Sequence, residues 1–174
     1  MQTEATLTAA QPSVIAEPHV IVHGTGRNFV QEISAGDHQL RADEPVSFGG
    51  TDVAPDPHDY LMASLGACTS MMVGLQARKR RWPLENISVS LRHSRINAKD
   101  CEECLTEDGM IDRIEVAVEL MGPLTAEQRA ELMKTAATCP IHVALKGEVN
   151  VRLYGVNGTG GTTSVPFAEN SPAL

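Results

Sequence analysis

Residues 61–72 have the sequence LMASLGACTSMM, an apolar stretch in which small residues surround a single cysteine, Cys68. One stripe of this stretch repeats at spacings of four and three, as the face of an α-helix does; it comprises Leu61, Leu65, Cys68, Met72 and Leu75. A neighbouring face is also uncharged, and it comprises Met62, Gly66, Thr69 and Val73. A helix that is apolar over so much of its circumference is buried. The sequence therefore predicts a central, buried helix from about residue 57 to residue 81.

Segments with strand character lie on both sides of this helix. The predicted strands cover residues 20–22, 29–33, 38–42, 87–91, 114–120 and 149–153. A turn signal at residues 35–37 (AGD) joins the second and third of them as a hairpin. A capping box from Thr125 to Gln128 predicts a second helix, and Pro140 directly after Cys139 predicts a short third one. Strands and helices in this order indicate an α+β fold.

The length and charge of the chain limit its organisation and its partners. We expect a flexible arm over residues 1–18, one domain over 19–155 and a flexible tail over 156–174. The formal net charge of −8 argues against nucleic acid or an anionic membrane as partner. We interpret the basic run at residues 78–81 as a solvated helix end, where the helix dipole favours cations. No segment has the length of a membrane span or the features of a signal peptide, so we expect a cytoplasmic protein with reduced thiols.

Cys68 and Cys139 occupy two different contexts. Cys68 is flanked by small residues on the apolar helix, whereas Cys139 stands at a helix break. Two-cysteine redox chemistry needs one thiolate that attacks an oxidant and a second thiol that resolves the sulfenic acid as a disulfide. The alternative is that both are buried structural cysteines, since free cysteine is among the most buried residue types.

An attacking thiolate must be stabilised by its surroundings. Cys139 has this benefit from its position at a helix N-terminus, while Cys68 needs a nearby cation or hydrogen-bond donor. Arg27 and Arg41 in the N-terminal strands are candidates for that cation, and each is otherwise an exposed arginine. His58 and Asp59 at the start of the apolar helix could orient such an arginine.

Cys101 and Cys104 form a CxxC motif between Asp100, Glu102 and Glu103. One interpretation is a redox dithiol, although the anionic neighbours disfavour the thiolate. A second is half of a zinc site completed by His93 or another histidine. A third is a loop with two reduced thiols, or a local disulfide, without a catalytic role.

Four motifs together resemble the OsmC/Ohr family of osmotically induced and organic hydroperoxide resistance proteins. The motifs are GGTD at residues 49–52, PDPHDYL at 55–61, ASLGACT at 63–69 and CPIH at 139–142. The resemblance extends from about residue 29 to residue 153. The WPL sequence at 82–84 and the DCEEC sequence at 100–104 place it nearest to the OsmC-like branch.

The resemblance implies an α+β fold in which two intertwined subunits form a homodimer, with large antiparallel sheets around central buried helices and active sites at the interface. It implies that Cys68 is the peroxidatic and Cys139 the resolving cysteine. An N-terminal arginine, here Arg27, and a glutamate activate the thiolate in the family. This chain has His58 at the glutamate position, and Asp59 is the nearest carboxylate.

We therefore expect a thiol peroxidase that acts in oxidative stress defence. It would reduce organic hydroperoxides to alcohols through a Cys68–Cys139 disulfide and be recycled by an external dithiol. No cofactor is required, because the sulfurs carry the two electrons. The main alternative is a protein that binds a small hydrophobic molecule without efficient peroxidase activity. A third possibility is a redox or metal sensor that uses Cys101 and Cys104.

Overall fold

The computed structural model describes residues 18–156 and 162–165. The strands in this part of the chain are β1 (Val20–Gly24), β2 (Gln31–Ala35), β3 (His38–Ala42), β4 (Asn86–Asn97), β5 (Met110–Met121), β6 (Leu153–Val156) and β7 (Thr162–Val165). The helices are α1 (Pro57–Arg80), α2 (Ala126–Ala136) and α3 (Pro140–Lys146). None of the helices among the described residues is long and apolar enough to cross a membrane.

The described strands pair only in the antiparallel direction. β1, β2 and β3 form a meander, β4 and β5 form a long hairpin, and β6 pairs with β7. The β4–β5 hairpin stays in register over twelve residues, from Asn86 opposite Met121 to Asn97 opposite Met110. Antiparallel sheets combined with three helices in the described chain confirm the α+β class.

Helix α1 begins and ends at residues suited to those positions. The Asp56 side chain accepts a hydrogen bond from the backbone N–H of Asp59, and Pro57 occupies the first turn. Arg81 adopts a left-handed conformation with φ of 56° and closes the helix before Trp82. The predicted bounds are confirmed to within one residue.

One face of α1 is buried in the single chain. It comprises Leu65, Gly66, Thr69, Val73 and Ala77. At Gly66 a Cβ atom would lie 2.8 Å from the Cδ1 of Leu91, so a larger residue there would require the Leu91 side chain to move. The neighbouring stripe remains partly open, with Leu61 39% exposed and Leu75 37% exposed. Within one chain, only one of the two apolar faces is therefore covered.

The hydrophobic core lies between α1, α2 and the β4–β5 hairpin. Its buried members are Val73, Ala77, Leu120, Leu124, Leu132 and Ala136. The capping box at Thr125 and Gln128 starts α2, as the sequence predicts, and so fixes Leu132 against α1. Ile114, Val116 and Val118 on β5 alternate with exposed neighbours, so the inward face of the hairpin also follows the predicted pattern.

The loop between β3 and α1 is organised around the buried carboxylate of Asp43. One of its oxygens accepts hydrogen bonds from the Thr51 hydroxyl, the Thr51 N–H and the Val53 N–H. The Thr51 hydroxyl, assisted by backbone N–H groups, lowers the pKa of Asp43 to about 2 although burial raises it. The Tyr60 hydroxyl also donates to the Arg41 carbonyl, which ties β3 to the first turn of α1.

The C-terminal part of the chain departs from one prediction. The prediction of a strand over residues 149–153 was wrong for its first part, because Val149 and Val151 are exposed and precede β6. β6 begins at Leu153, which pairs with Val165 at the end of β7. β7 falls within the tail expected to be flexible, and the rest of that tail beyond residue 156 lies outside the described residues, as do residues 1–17 of the predicted arm.

Candidate functional site

Cys68 and Cys139 come together where α1 meets α3. The hydroxyl of Thr69, the residue next to Cys68, lies 3.5 Å from the Cys139 sulfur, and the Cys68 side chain is near enough to that sulfur to help lower its pKa. Cys139 is fully buried, with 0% of its surface exposed, whereas Cys68 is half-buried and lies on the more open side of α1. The structure thus brings together the two thiols for which the sequence allowed a redox pair, although they are far apart in the chain.

The position of Cys139 follows from local sequence. Cys139 is the N-cap of α3 with extended backbone angles, and Pro140 occupies the first helical turn. The sulfur therefore takes the place of the oxygen of an ordinary N-cap residue. It accepts a hydrogen bond of 3.3 Å from the backbone N–H of His142.

Thr69 is the second donor to the Cys139 sulfur. Its side chain is buried on the inward face of α1, and its hydroxyl lies 3.5 Å from the Cys139 sulfur. Because Thr69 directly follows Cys68, one turn of α1 presents both a thiol and a hydroxyl to Cys139. Sequence reasoning missed this role, although the LGACT motif placed Thr69 beside the cysteine.

The surroundings of Cys139 favour its thiolate. Burial alone raises the pKa of this thiol. Hydrogen bonds from Thr69, the His142 N–H, Cys68 and the Ile141 N–H act in the opposite direction and together lower the pKa below its usual value. The site therefore contains a buried sulfur whose charged form is stabilised by several donors.

Two adjoining clefts lead towards these donors. The larger has a volume of about 330 Å³, and its walls comprise Leu65, Asp112, Ile114, Val116, His142, Leu145 and Lys146. The smaller has a volume of about 140 Å³, and its walls comprise Thr69, Val116, Val118, Met133, Ala136, Ala137 and His142. Since Val116 and His142 border both, the two clefts lie side by side along β5, next to the residues that hydrogen-bond Cys139.

The residues expected to activate Cys68 are not at the thiols in the single chain. Arg27 is exposed, and its backbone N–H donates to the Thr25 hydroxyl. Arg41 is also exposed and forms an ion pair of 3.0 Å with Glu32. Asp59 is exposed in the first turn of α1. Among the described contacts, none joins these three side chains to Cys68 or Cys139.

His58 belongs to a separate group of side chains. Its ring stacks on that of His93, with centroids 5.2 Å apart and an interplanar angle of 21°. The Nε2 of His93 lies 3.0 Å from a carboxylate oxygen of Asp112, which also lines the larger cleft. His58 and His93 thus connect the start of α1 to the wall of the cleft. Their spacing in the sequence gave no signal of this contact.

Cys101 and Cys104 form a disulfide with Cα atoms 5.5 Å apart. Of the three interpretations left open for this motif, the structure contains the local disulfide. His93, the candidate third ligand of a zinc site, pairs with Asp112. Within the described ranges, no three histidine, cysteine, aspartate or glutamate side chains are grouped as metal ligands.

Comparison with known proteins identifies the family. The family model described as "OsmC-like protein" matches residues 49–154. The chain belongs to the OsmC-like family. The matched range contains both Cys68 and Cys139 together with the whole β4–β5 hairpin. A sequence comparison with curated proteins found no match.

Solved structures show the same fold as this OsmC-like chain. An OsmC-like protein from Mycoplasma pneumoniae is 17% identical with a TM-score of 0.57, over 74% of this chain and 86% of the other. An organic hydroperoxide resistance protein from Elizabethkingia anophelis is 19% identical with a TM-score of 0.56, over 78% and 91%. The organic hydroperoxide resistance protein OsmC from Legionella pneumophila is 24% identical with a TM-score of 0.53, over 74% and 88%.

Proposed function

We propose that this OsmC-like protein is a thiol peroxidase that reduces organic hydroperoxides to alcohols in the cytoplasm, in defence against oxidative stress. The observation that carries the proposal is the pairing of a half-buried Cys68 with a fully buried Cys139 whose pKa is lowered. Cys68 is the sulfur that a substrate reaches first, and Cys139 is the one poised to resolve it.

The first step transfers one oxygen atom. The Cys68 thiolate attacks the terminal oxygen of the hydroperoxide, the O–O bond breaks, and the alkoxide leaves and takes a proton to become the alcohol. Cys68 becomes a sulfenic acid, and its sulfur supplies the two electrons. This accounts for a reaction without a cofactor.

The second and third steps restore the thiols. The Cys139 thiolate attacks the Cys68 sulfur, hydroxide leaves and is protonated to water, and a Cys68–Cys139 disulfide forms. An external dithiol then reduces this bond and is itself oxidised to a disulfide. Stabilisation of the Cys139 thiolate by Thr69 and His142 favours the second step, because the thiolate is the nucleophile.

The apolar walls of the larger cleft favour an alkyl or aryl hydroperoxide over hydrogen peroxide. Leu65, Ile114, Val116 and Leu145 contribute apolar surface to the larger cleft. Burial of a hydrocarbon chain there stabilises the complex by about 0.8 kcal/mol per methylene group.

We further propose that the active unit is an intertwined homodimer of a domain over residues 19–155, flanked by flexible segments at 1–18 and 156–174. Every residue of β1 is exposed in the single chain, including Val20 at 53% and Val22 at 54%. A second copy would cover these side chains and the open stripe of α1. In such an arrangement Arg27 and Asp59 are the residues we assign to activation of Cys68.

A second candidate function is binding of a small hydrophobic molecule without efficient turnover. Two observations favour it: the apolar walls of the larger cleft, and the exposed positions of Arg27 and Asp59 away from the thiols. A weakly activated Cys68 in such a cleft would leave a binding site with slow chemistry.

Turnover and ligand content separate the two functions. Purified protein is assayed with dithiothreitol and either cumene hydroperoxide or hydrogen peroxide, and the same preparation is examined by native mass spectrometry. The peroxidase predicts rapid, dithiol-dependent conversion of cumene hydroperoxide to the alcohol and slower consumption of hydrogen peroxide. A bound lipid-like molecule without conversion would overturn the peroxidase and support the binding function.

A further inference from the structure

The Cys101–Cys104 disulfide lies in an acidic loop that the hydroperoxide chemistry does not use. This loop, residues 98–109, joins β4 to β5 and carries five exposed carboxylates, Asp100, Glu102, Glu103, Glu107 and Asp108. Cys104 is exposed and Cys101 is half-buried. The disulfide thus includes an exposed residue in a loop that carries five carboxylates and one lysine, Lys99, which pairs with Asp108 at 3.3 Å.

The base of the loop is held by hydrogen bonds as well as by this disulfide. The Ala98 N–H donates a hydrogen bond of 2.8 Å to the Gly109 carbonyl, and β4 and β5 remain paired up to Asn97 and Met110. The Asn97 side chain accepts from the Lys99 N–H and caps the short helical turn. The two cysteines are separated by only three positions, and a cross-link across so short a loop constrains the unfolded chain least. The disulfide therefore contributes little to the stability of the folded chain.

The loop is also remote from Cys139 within one chain. Met110, at the loop end of β5, is six residues from Val116, which lines the cleft beside Thr69. Six residues of β-strand span about 20 Å. Thiol–disulfide exchange requires contact between sulfurs, so the partner of this disulfide is a separate molecule.

We infer that the Cys101–Cys104 pair is a second dithiol–disulfide exchange site, selective for thiol reductants that carry positive charge. The inference does not rest on the proposed peroxidase activity. The carboxylates repel an approaching anionic thiolate and attract one that bears a neighbouring cation, and this selects the reductant by charge.

Reduction of the Cys101–Cys104 disulfide proceeds through two successive thiol–disulfide exchanges. A reductant thiolate attacks the exposed Cys104 sulfur, the bond to Cys101 breaks, and Cys101 leaves as a thiolate that takes up a proton. A second reductant thiolate, from the same or another molecule, attacks the reductant sulfur of the mixed disulfide and releases Cys104. The reductant is oxidised to a disulfide, and its two thiol protons end on Cys101 and Cys104.

The test measures reduction of this disulfide by two small thiols of opposite charge. Native protein is treated with cysteamine, which is cationic, or with 3-mercaptopropionate, which is anionic, at equal thiolate concentrations. Alkylation followed by peptide mass spectrometry separates Cys101 and Cys104 from Cys68 and Cys139, so no cysteine variant is required. We expect cysteamine to react on the order of tenfold faster at low ionic strength, with the preference falling as salt is added.

The matched control is E102Q/E103Q, which neutralises the two carboxylates between the cysteines. Comparing the ratio of the two rates in the wild type with that in the variant cancels the intrinsic reactivities of the thiols. We expect the ratio to fall severalfold in the variant. The inference is overturned if the ratio is unchanged, if the bond is reduced only after denaturation, or if oxidised glutathione and cystamine, the disulfide of cysteamine, both fail to re-form it.

Discussion

Cys68 and Cys139 lie far apart in the sequence and meet between two helices, whereas Cys101 and Cys104 are three positions apart in one exposed loop. The first pair is surrounded by apolar residues and by donors that stabilise a thiolate. The second is surrounded by carboxylates that disfavour one. Burial and local charge therefore direct the same residue type to different chemistry, because cysteine reactivity follows the fraction of thiolate.

The largest expected effect comes from removal of Cys68. Cys68→Ser should reduce turnover of cumene hydroperoxide to the background rate, because Cys68 is the more exposed sulfur of the Cys68–Cys139 pair and is the one assigned to attack the peroxide. The matched control, Cys104→Ser, should retain turnover. Steady-state consumption of peroxide measures both variants, and equal rates for Cys68→Ser and wild type would contradict the assignment.

A smaller effect is expected from Thr69→Val, which removes the hydroxyl but keeps the shape of the side chain. The pKa of Cys139 should rise, because one of the donors that lower it is lost. Formation of the disulfide after a single oxidation should slow by about tenfold at neutral pH, equivalent to about 1.4 kcal/mol for one hydrogen bond to a charged acceptor.

The pH dependence of disulfide formation should change in a defined direction in Thr69→Val. A lowered pKa keeps Cys139 as a thiolate at a pH where an ordinary thiol is protonated, so the Thr69→Val profile should shift to higher pH. Rapid-mixing measurements of disulfide formation across pH would record the shift. Thr69→Ser, which retains the hydroxyl, should follow the wild type. An unshifted Thr69→Val profile would show that the Thr69 hydroxyl does not lower the pKa of Cys139.

The smallest effect is expected from the double variant C101S/C104S. Peroxide turnover should remain within a few fold of wild type, because the acidic loop is remote from the cleft. The free energy of unfolding should fall by no more than about 2 kcal/mol, as for a cross-link that closes a very short loop. Denaturant titration and the steady-state assay test both statements. Loss of turnover together with loss of a stoichiometric metal would contradict the separation of the two pairs.

The sequence predicted several local features well where a physical signal was confined to a few neighbouring residues, although the alternation at residues 149–153 predicted a strand that begins only at Leu153. Helix α1 was located to within one residue because its apolar spacing begins after Pro57 and Trp82 and Pro83 end it. Cys139 was placed at the start of α3 because Pro140 follows it. The inward face of β5 followed from simple alternation.

Contacts between distant segments were not predictable in the same way. Nothing in the spacing of Thr69 and His142 indicated that both would donate to one sulfur, because that contact depends on how α1 packs against α3. The stacking of His58 on His93 depends likewise on the approach of α1 to β4. The roles of Arg27 and Asp59 rested on the family resemblance, and they stay a prediction.

The most direct test of the central claim is disulfide mapping after one molar equivalent of cumene hydroperoxide. Reduced wild type and Cys139→Ser are treated, alkylated, digested and examined by mass spectrometry. We expect a Cys68–Cys139 disulfide in the wild type and a trappable sulfenic acid on Cys68 in Cys139→Ser. Peroxide consumption by the wild type without a Cys68–Cys139 bond, accompanied by oxidation confined to Cys101 and Cys104, would contradict it.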